Sequence, residues 1–141
     1  MREPSYVDVR LLHPFRISAD DSVKLAVLKF PTLEHDTSVV FEVWDPGGSQ
    51  PLNSHPRSFE SFFFLHGSGT AICDGDEIEV SAGGFLVLPP MSQHRIVNRR
   101  EYKLYAITTM SPDDGFAALI ESGVPTTFDE VDYEMFSCRA M

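Results

Sequence analysis

Apolar and β-branched residues are gathered in short runs, each closed by Gly, Pro or Asp, from about residue 23 to residue 110. Val23 to Phe30 predicts a strand that Pro31 ends, because proline has no N–H to give to a ladder. Ser38 to Trp44 is β-branched and aromatic and stops at Asp45-Pro46-Gly47-Gly48. Leu52 to His55 and Glu60 to His66 follow, the second closed by Gly67-Ser68-Gly69. Asp74-Gly75-Asp76, between Thr70 to Cys73 and Glu77 to Val80, is a hairpin-turn signal. Phe85 to Leu88, Gln93 to Asn98 and Tyr102 to Thr109 complete the series. Many short strands at close, even spacing predict an all-β sandwich or barrel.

One segment alone carries a helical pattern. Ser111-Pro112-Asp113-Asp114 is a helix start, Phe116, Leu119 and Ile120 keep helical spacing, and Gly123 with Pro125 ends it. This short C-terminal helix is expected to pack outside the barrel. The first twenty residues are apolar in patches (Tyr6, Val7, Val9, Leu11, Leu12, Phe15), as for an edge strand joining this barrel or a partner subunit. An edge strand of that kind is normally covered, so a homodimer is expected.

At 141 residues the chain is expected to form a single domain over 1–141. Its strand-rich core covers about 38–110, preceded by an N-terminal arm, 1–22, and followed by the helix and tail, 111–141. The net charge of -10 removes nucleic acid and anionic membrane surfaces as partners, since both call for a basic footprint. The acidic stretch Asp129-Glu130-Val131-Asp132-Tyr133-Glu134 reads as part of the same solvating charge. Cys73 and Cys138 stand far apart in no metal-like spacing, which predicts a reducing compartment and no disulfide framework. No apolar signal core opens the chain and no run approaches ~18 apolar residues. A cytoplasmic location is expected.

The chemistry lies in Asn53-Ser54-His55-Pro56-Arg57-Ser58-Phe59-Glu60 and, further on, His94. Asn53 and His55 are two apart, so on one extended strand they face the same side. Two imidazoles and a carboxylate on separate strands can converge inside a barrel and hold a divalent transition metal with open positions. Arg57 continues the alternation of Asn53 and His55, as a bidentate anchor for a substrate carboxylate or phosphate at the cavity mouth, or as a solvated loop arginine after Pro56. If Glu60 faces inward, Phe62, Phe64 and His66 do so too. Phe62 and Phe64 then form core or the floor of an apolar pocket, and Ile96 shares the face of His94. His66 lies about 20 Å along the strand from Glu60, too far for one metal.

Tyr102 and Tyr105 fall on opposite faces, so at most one lines a cavity. His13 and His35 read as surface residues, and Glu42 and Asp45 as solvated acids. Gly67-Ser68-Gly69 is a turn and not a nucleotide loop, since no helix follows it.

These residues resemble the two motifs of the cupin superfamily, whose fold is a jelly-roll barrel (double-stranded β-helix). The first pairs a Pro-Gly turn with His-x-His, four residues, Glu, about six residues and Gly; here Pro46-Gly47-Gly48 precedes Asn53-x-His55, Glu60 and Gly67. The second runs from Gly83 to Pro89, then His94 and Asn98. The resemblance implies His55, Glu60 and His94 as ligands of one divalent transition metal (Fe, Zn, Mn or Ni), with Asn53 at the position of a fourth. There Asn53 either coordinates through its carbonyl oxygen or hydrogen-bonds a bound water or substrate. Met91 and Ser81 depart from the pattern at a usual Gly and a common Pro, and Asn98 matches a position that ties off a turn.

The expected function is that of a metal-dependent enzyme on a small organic molecule, dioxygenase-like first and an isomerase, lyase or cyclase next. The alternatives are a cupin that binds a metal or small ligand without turnover, and a metal-free barrel in which the three side chains only hydrogen-bond one another.

Overall fold

The computed structural model describes residues 4–28 and 37–137. Its strands are β1 (Pro14–Arg16), β2 (Val23–Leu28), β3 (Ser38–Trp44), β4 (Phe59–His66), β5 (Ser68–Cys73), β6 (Asp76–Ser81), β7 (Phe85–Leu88), β8 (His94–Val97), β9 (Leu104–Ser111) and β10 (Val124–Pro125). They form a seven-stranded sheet, β10-β1-β2-β3-β9-β4-β7, and a three-stranded sheet, β6-β5-β8. This is the all-β barrel that the strand spacing predicts. The end of the first strand at Phe30 and Pro31, His35 and Cys138 lie outside the described residues.

Alternation along the strands decides what enters the barrel. On β3, Ser38, Val40, Glu42 and Trp44 point inward and are buried. On β4 the inward set is Glu60, Phe62 and Phe64. Trp44 is fully buried, packs against Phe62 at 6.4 Å between ring centres, and donates its indole N–H to the Ile96 carbonyl at 3.2 Å. That bond ties the large sheet to β8. Gly67 turns the chain from β4 into β5 with φ of 88°, and a Cβ there would lie 2.6 Å from the Lys103 carbonyl; only glycine meets both demands. Asn98 donates to the carbonyls of Tyr102 and Asp45 at 2.8 and 3.1 Å and accepts from Arg100 N at 3.0 Å, so it ties off a turn as the resemblance implies.

Several expectations are corrected here. The segment Leu52 to His55 is no strand: Pro51 and Pro56 bracket it, and it pairs through one isolated bridge, Asn53 with His94. His66 does not share the face of Glu60. A bulge between Phe64 and His66 reverses the alternation, and the imidazole meets the Met135 carbonyl at 3.0 Å on the outer face. Of the two places open to the N-terminal arm, this barrel or a partner subunit, it takes the first, β1 pairing with both β2 and β10.

The acidic tail is a second helix, α2 (Glu130–Ser137), beside the expected α1 (Phe116–Glu121). Asp129 and Asp132 each accept the other's backbone N–H, at 2.8 and 3.0 Å, a reciprocal cap of the capping-box kind. Asp132 is fully buried, with Lys103 Nζ at 2.9 Å and the Tyr105 hydroxyl at 2.8 Å on one oxygen and Lys24 Nζ 3.7 Å from the other. This ion cluster and the Phe41, Phe128 and Phe136 rings seat α2 on the outer face of the large sheet. No helix among the described residues is long and apolar enough to cross a membrane.

Candidate metal centre

The site is assembled from three separate pieces of chain. Glu60 sits near the start of β4, between Leu88 of β7 and Met110 of β9, and is 3% exposed. His94 opens β8, and its strand position is fixed by two backbone bonds with Asn53, at 2.8 and 3.0 Å. The loop before it is held by Asp74, whose carboxylate accepts from Ser92 Oγ and Gln93 N at 3.1 and 2.8 Å. His55 hangs on the bridged segment, its carbonyl accepting from Met91 N at 2.8 Å. Met91 makes that turn with φ of 74° and an exposed side chain. It thus takes a left-handed conformation that glycine adopts without the Cβ penalty, which is why a glycine is the usual residue there in the family it resembles.

The three side chains meet. His94 Nε2 lies 2.8 Å and His55 Nε2 3.4 Å from the same oxygen of Glu60, and one ligand atom from each residue falls within 4.8 Å of the others. Neighbouring ligand atoms around a metal with bonds of about 2.1 Å stand roughly 3.0–3.5 Å apart; the His55–Glu60 separation falls in that range and the His94–Glu60 one, a hydrogen-bond length, just below it. The protonation pattern suits a metal. His94 Nδ1 is 3.1 Å from the Ser92 carbonyl, which can only accept, so Nδ1 carries a proton and Nε2 is the nitrogen turned to the centre, where a metal would displace the proton it shares with Glu60. His55 Nε2 is buried and has no hydrogen-bond partner, although it lies beside Glu60. A buried nitrogen without a partner is costly, and a metal at this point would supply one.

Charge follows the same geometry. Burial pushes the Glu60 carboxyl up, and the neighbouring His55 and His94 imidazoles more than offset this, holding it below the usual carboxylate range. Burial lowers the His94 imidazole, while its bond to Glu60 and that carboxylate's charge raise it above the ordinary value.

The centre opens on a cavity of about 150 Å³, walled on one side by Val23, Leu25 and Glu42 and on the other by Gln50, Asn53, His55 and Glu60. Phe116 and Leu119 of α1 also line it, and Phe116 meets the His55 ring edge-on at 5.9 Å. The helix expected only to pack therefore shapes the site.

Asn53 lines the cavity with its amide N–H bonded to the Pro51 carbonyl at 2.8 Å, which leaves Oδ1 as the group it has to offer. Arg57 is not on the cavity wall; after Pro56 it turns outward, 68% exposed, and pairs with Asp114 at 2.6 Å. Phe62, Phe64 and Ile96 are fully buried core and do not reach the cavity wall. Tyr105 faces α2 and Tyr102 is exposed, so neither lines the cavity.

Glu42 is the residue sequence reasoning misplaced. It is fully buried and borders the cavity, bonded to the Thr108 hydroxyl and to Gln50 Nε2 at 3.3 Å. The signal was present in the alternation Ser38, Val40, Glu42, Trp44, which puts it on the core face.

A family model described as the cupin domain matches residues 40–110. A comparison of the sequence with curated proteins finds no match. Among solved structures, a predicted oxalate decarboxylase from Thermotoga maritima aligns with a TM-score of 0.69 at 22% identity, covering 77% of this chain and 99% of that one. An RmlC-like cupin from Shewanella frigidimarina aligns with a TM-score of 0.66 at 20% identity, over 78% and 92% of the two chains. KdgF from a Halomonas species gives 0.58 at 20%, over 64% and 79%. At these identities the structural likeness speaks for the fold alone. The matched family model, which spans half of the sequence and contains both motifs, makes this chain a member of the cupin family.

Proposed function

We propose that His55, Glu60 and His94 hold one divalent transition metal (Fe, Zn, Mn or Ni), and that the chain is an enzyme acting on a small organic molecule bound in the barrel. The observation that carries this reading is the convergence of three ligand atoms, one of them the His55 Nε2 that has no hydrogen-bond partner, at the wall of a cavity. The metal supplies a Lewis acid or a redox centre with open positions. The chain supplies the rest. The Ser92 carbonyl orients His94, Glu60 contributes the negative charge, and Val23, Leu25 and Phe116 keep water from the bound molecule.

Two strong nitrogen ligands and one carboxylate favour dioxygenase-like chemistry first, with isomerase, lyase or cyclase chemistry next. Oxygen uptake by the Fe(II)-loaded protein against a panel of small acids and phenols tests this. Uptake that depends on both a panel member and His94 supports an oxygenase. Binding of panel members without uptake or conversion supports a non-catalytic ligand-binding cupin instead.

A homodimer is the proposed assembly. The outer face of β4 and β7 exposes Phe59, Phe63, Phe85 and Val87 side by side, with Phe63 and Phe85 at 6.1 Å, an apolar patch on an otherwise strongly acidic chain. Sedimentation is expected to give the mass of two chains, and the mass of one contradicts the proposal.

A further inference from the structure

Glu42 is a carboxyl group placed where a leucine would be cheaper. It stands on the inward face of β3 between Val40 and Trp44, fully buried, and removing such a group from water is costly unless something compensates. Its hydrogen-bond partners among the described residues are uncharged, the Thr108 hydroxyl and the Gln50 amide. The amide is locked in place: Gln50 Oε1 accepts from Ile96 N at 3.2 Å, and Gln50 N donates to the Ile96 carbonyl at 3.2 Å. Its NH₂ group is therefore the end presented to Glu42. Neither bonded partner carries a positive charge, and burial, then the charge of Glu60, push its pKa up, which favours the neutral acid in the metal-free protein.

The rest of the cavity points the same way. Ile17, Val23, Leu25, Phe116 and Leu119 give it an apolar body, and its other acid, Asp21, is spent on the backbone N–H groups of Ile17 and Val23 at 3.2 and 3.0 Å. No lysine or arginine lines it among the described residues. A phosphate, or a second carboxylate, would find no counter-charge away from the metal. A cavity near 150 Å³ takes a body of about one benzene ring.

We propose that Glu42 and Gln50 form a second, uncharged recognition pole of the cavity, selecting small ligands with an apolar body and a neutral hydroxyl or carbonyl group, and rejecting those with a second anionic group. The pole itself stands without the metal; only the placing of the ligand's other end rests on the reading of His55, Glu60 and His94 as a metal centre. A carboxylic acid both donates and accepts, and Gln50 adds a donor, so one pole accommodates either a hydroxyl or a carbonyl.

The test has a metal-free arm and a zinc arm. In protein stripped with a chelator, infrared difference spectra at neutral pH should show the carbonyl stretch of a protonated carboxyl that is missing in Glu42→Gln. Benzyl alcohol should bind by calorimetry and shift that band, and Glu42→Leu should lose about tenfold in affinity, the worth of one buried hydrogen bond. In the zinc arm, benzoate and 4-hydroxybenzoate should bind, the second more tightly, while benzene-1,4-dicarboxylate should bind at least about tenfold more weakly than benzoate. Absence of the carboxyl band, or benzyl alcohol affinity unchanged in Glu42→Leu, overturns the pole whatever the metal does. Dicarboxylate binding as tight as benzoate overturns the stated selectivity. If the metal-free arm succeeds and zinc changes nothing, the pole stands and the metal centre falls.

Discussion

Replacing His94 by alanine is expected to lower the affinity for Zn²⁺ or Fe²⁺ by at least about 100-fold, since even residues that only orient a ligand are worth 10–100-fold. The reason is local. His94 Nε2 lies 2.8 Å from Glu60, Nδ1 is anchored on Ser92, and the strand position is pinned by Asn53, so the imidazole is held at the centre from both sides. The variant keeps only His55 and Glu60 of the three ligands. Competition titration against a chelating dye measures the loss, with circular dichroism confirming that the barrel has formed.

Asn53→His probes the same centre from the other side. If the Asn53 amide lies among the ligands, an imidazole there raises affinity, because a first-row metal prefers that donor to a neutral amide oxygen. Unchanged affinity places Asn53 outside the coordination sphere. Wild-type affinity retained in His94→Ala contradicts the assignment of the centre.

Glu42→Gln is expected to make the metal-free protein more stable in mild alkali and to remove much of its pH dependence. Burial first, then the charge of Glu60, raises the Glu42 carboxyl from 4.5 to about 8, with the Thr108 and Gln50 hydrogen bonds opposing. Between those values the folded protein keeps a proton that the unfolded chain has released, so stability falls as pH rises across that window and is level above it. The whole span corresponds to on the order of 5 kcal/mol. His94, raised above its ordinary value, contributes in the same direction as pH rises through its folded value. Glu60, lowered, contributes stability that is lost only as pH falls. Both are present in the variant, so the difference between the two urea-unfolding curves, taken from about pH 5 to about pH 9 with chelator, isolates Glu42. Parallel curves for the two proteins contradict the account.

Most of the barrel is legible in the chain because its signals are local. Ser38–Trp44 and Phe85–Leu88 appear where β-branched and aromatic runs end at turn residues. The metal-ligand candidates are equally visible, since side-chain type and spacing place them. What escaped depends on the tertiary environment. Leu52 to His55 has strand composition, but two prolines deny it a ladder. His66 follows the alternation of β4 until a bulge reverses it, and nothing in Phe64-Leu65-His66 announces the extra residue. Asp132 looks like one more solvated acid until Lys103 and Tyr105, distant in sequence, close over it. Glu42 reads as a solvated acid because a carboxylate on an outer strand is usually exposed, although its own alternation with Val40 and Trp44 argues for the inside. For Arg57 the second of its two readings holds: alternation alone points it inward, and Pro56 turns it out to Asp114.

The central claim is that three side chains from three pieces of chain make one metal site, and anomalous diffraction from crystals soaked in a zinc salt tests it most directly. The account expects one dominant zinc peak per chain, bounded by His55 Nε2, His94 Nε2 and the carboxylate of Glu60, and gone in His94→Ala crystals. Zinc found only on surface carboxylates, with the His55, Glu60 and His94 side chains bonded to one another and no peak between them, contradicts it.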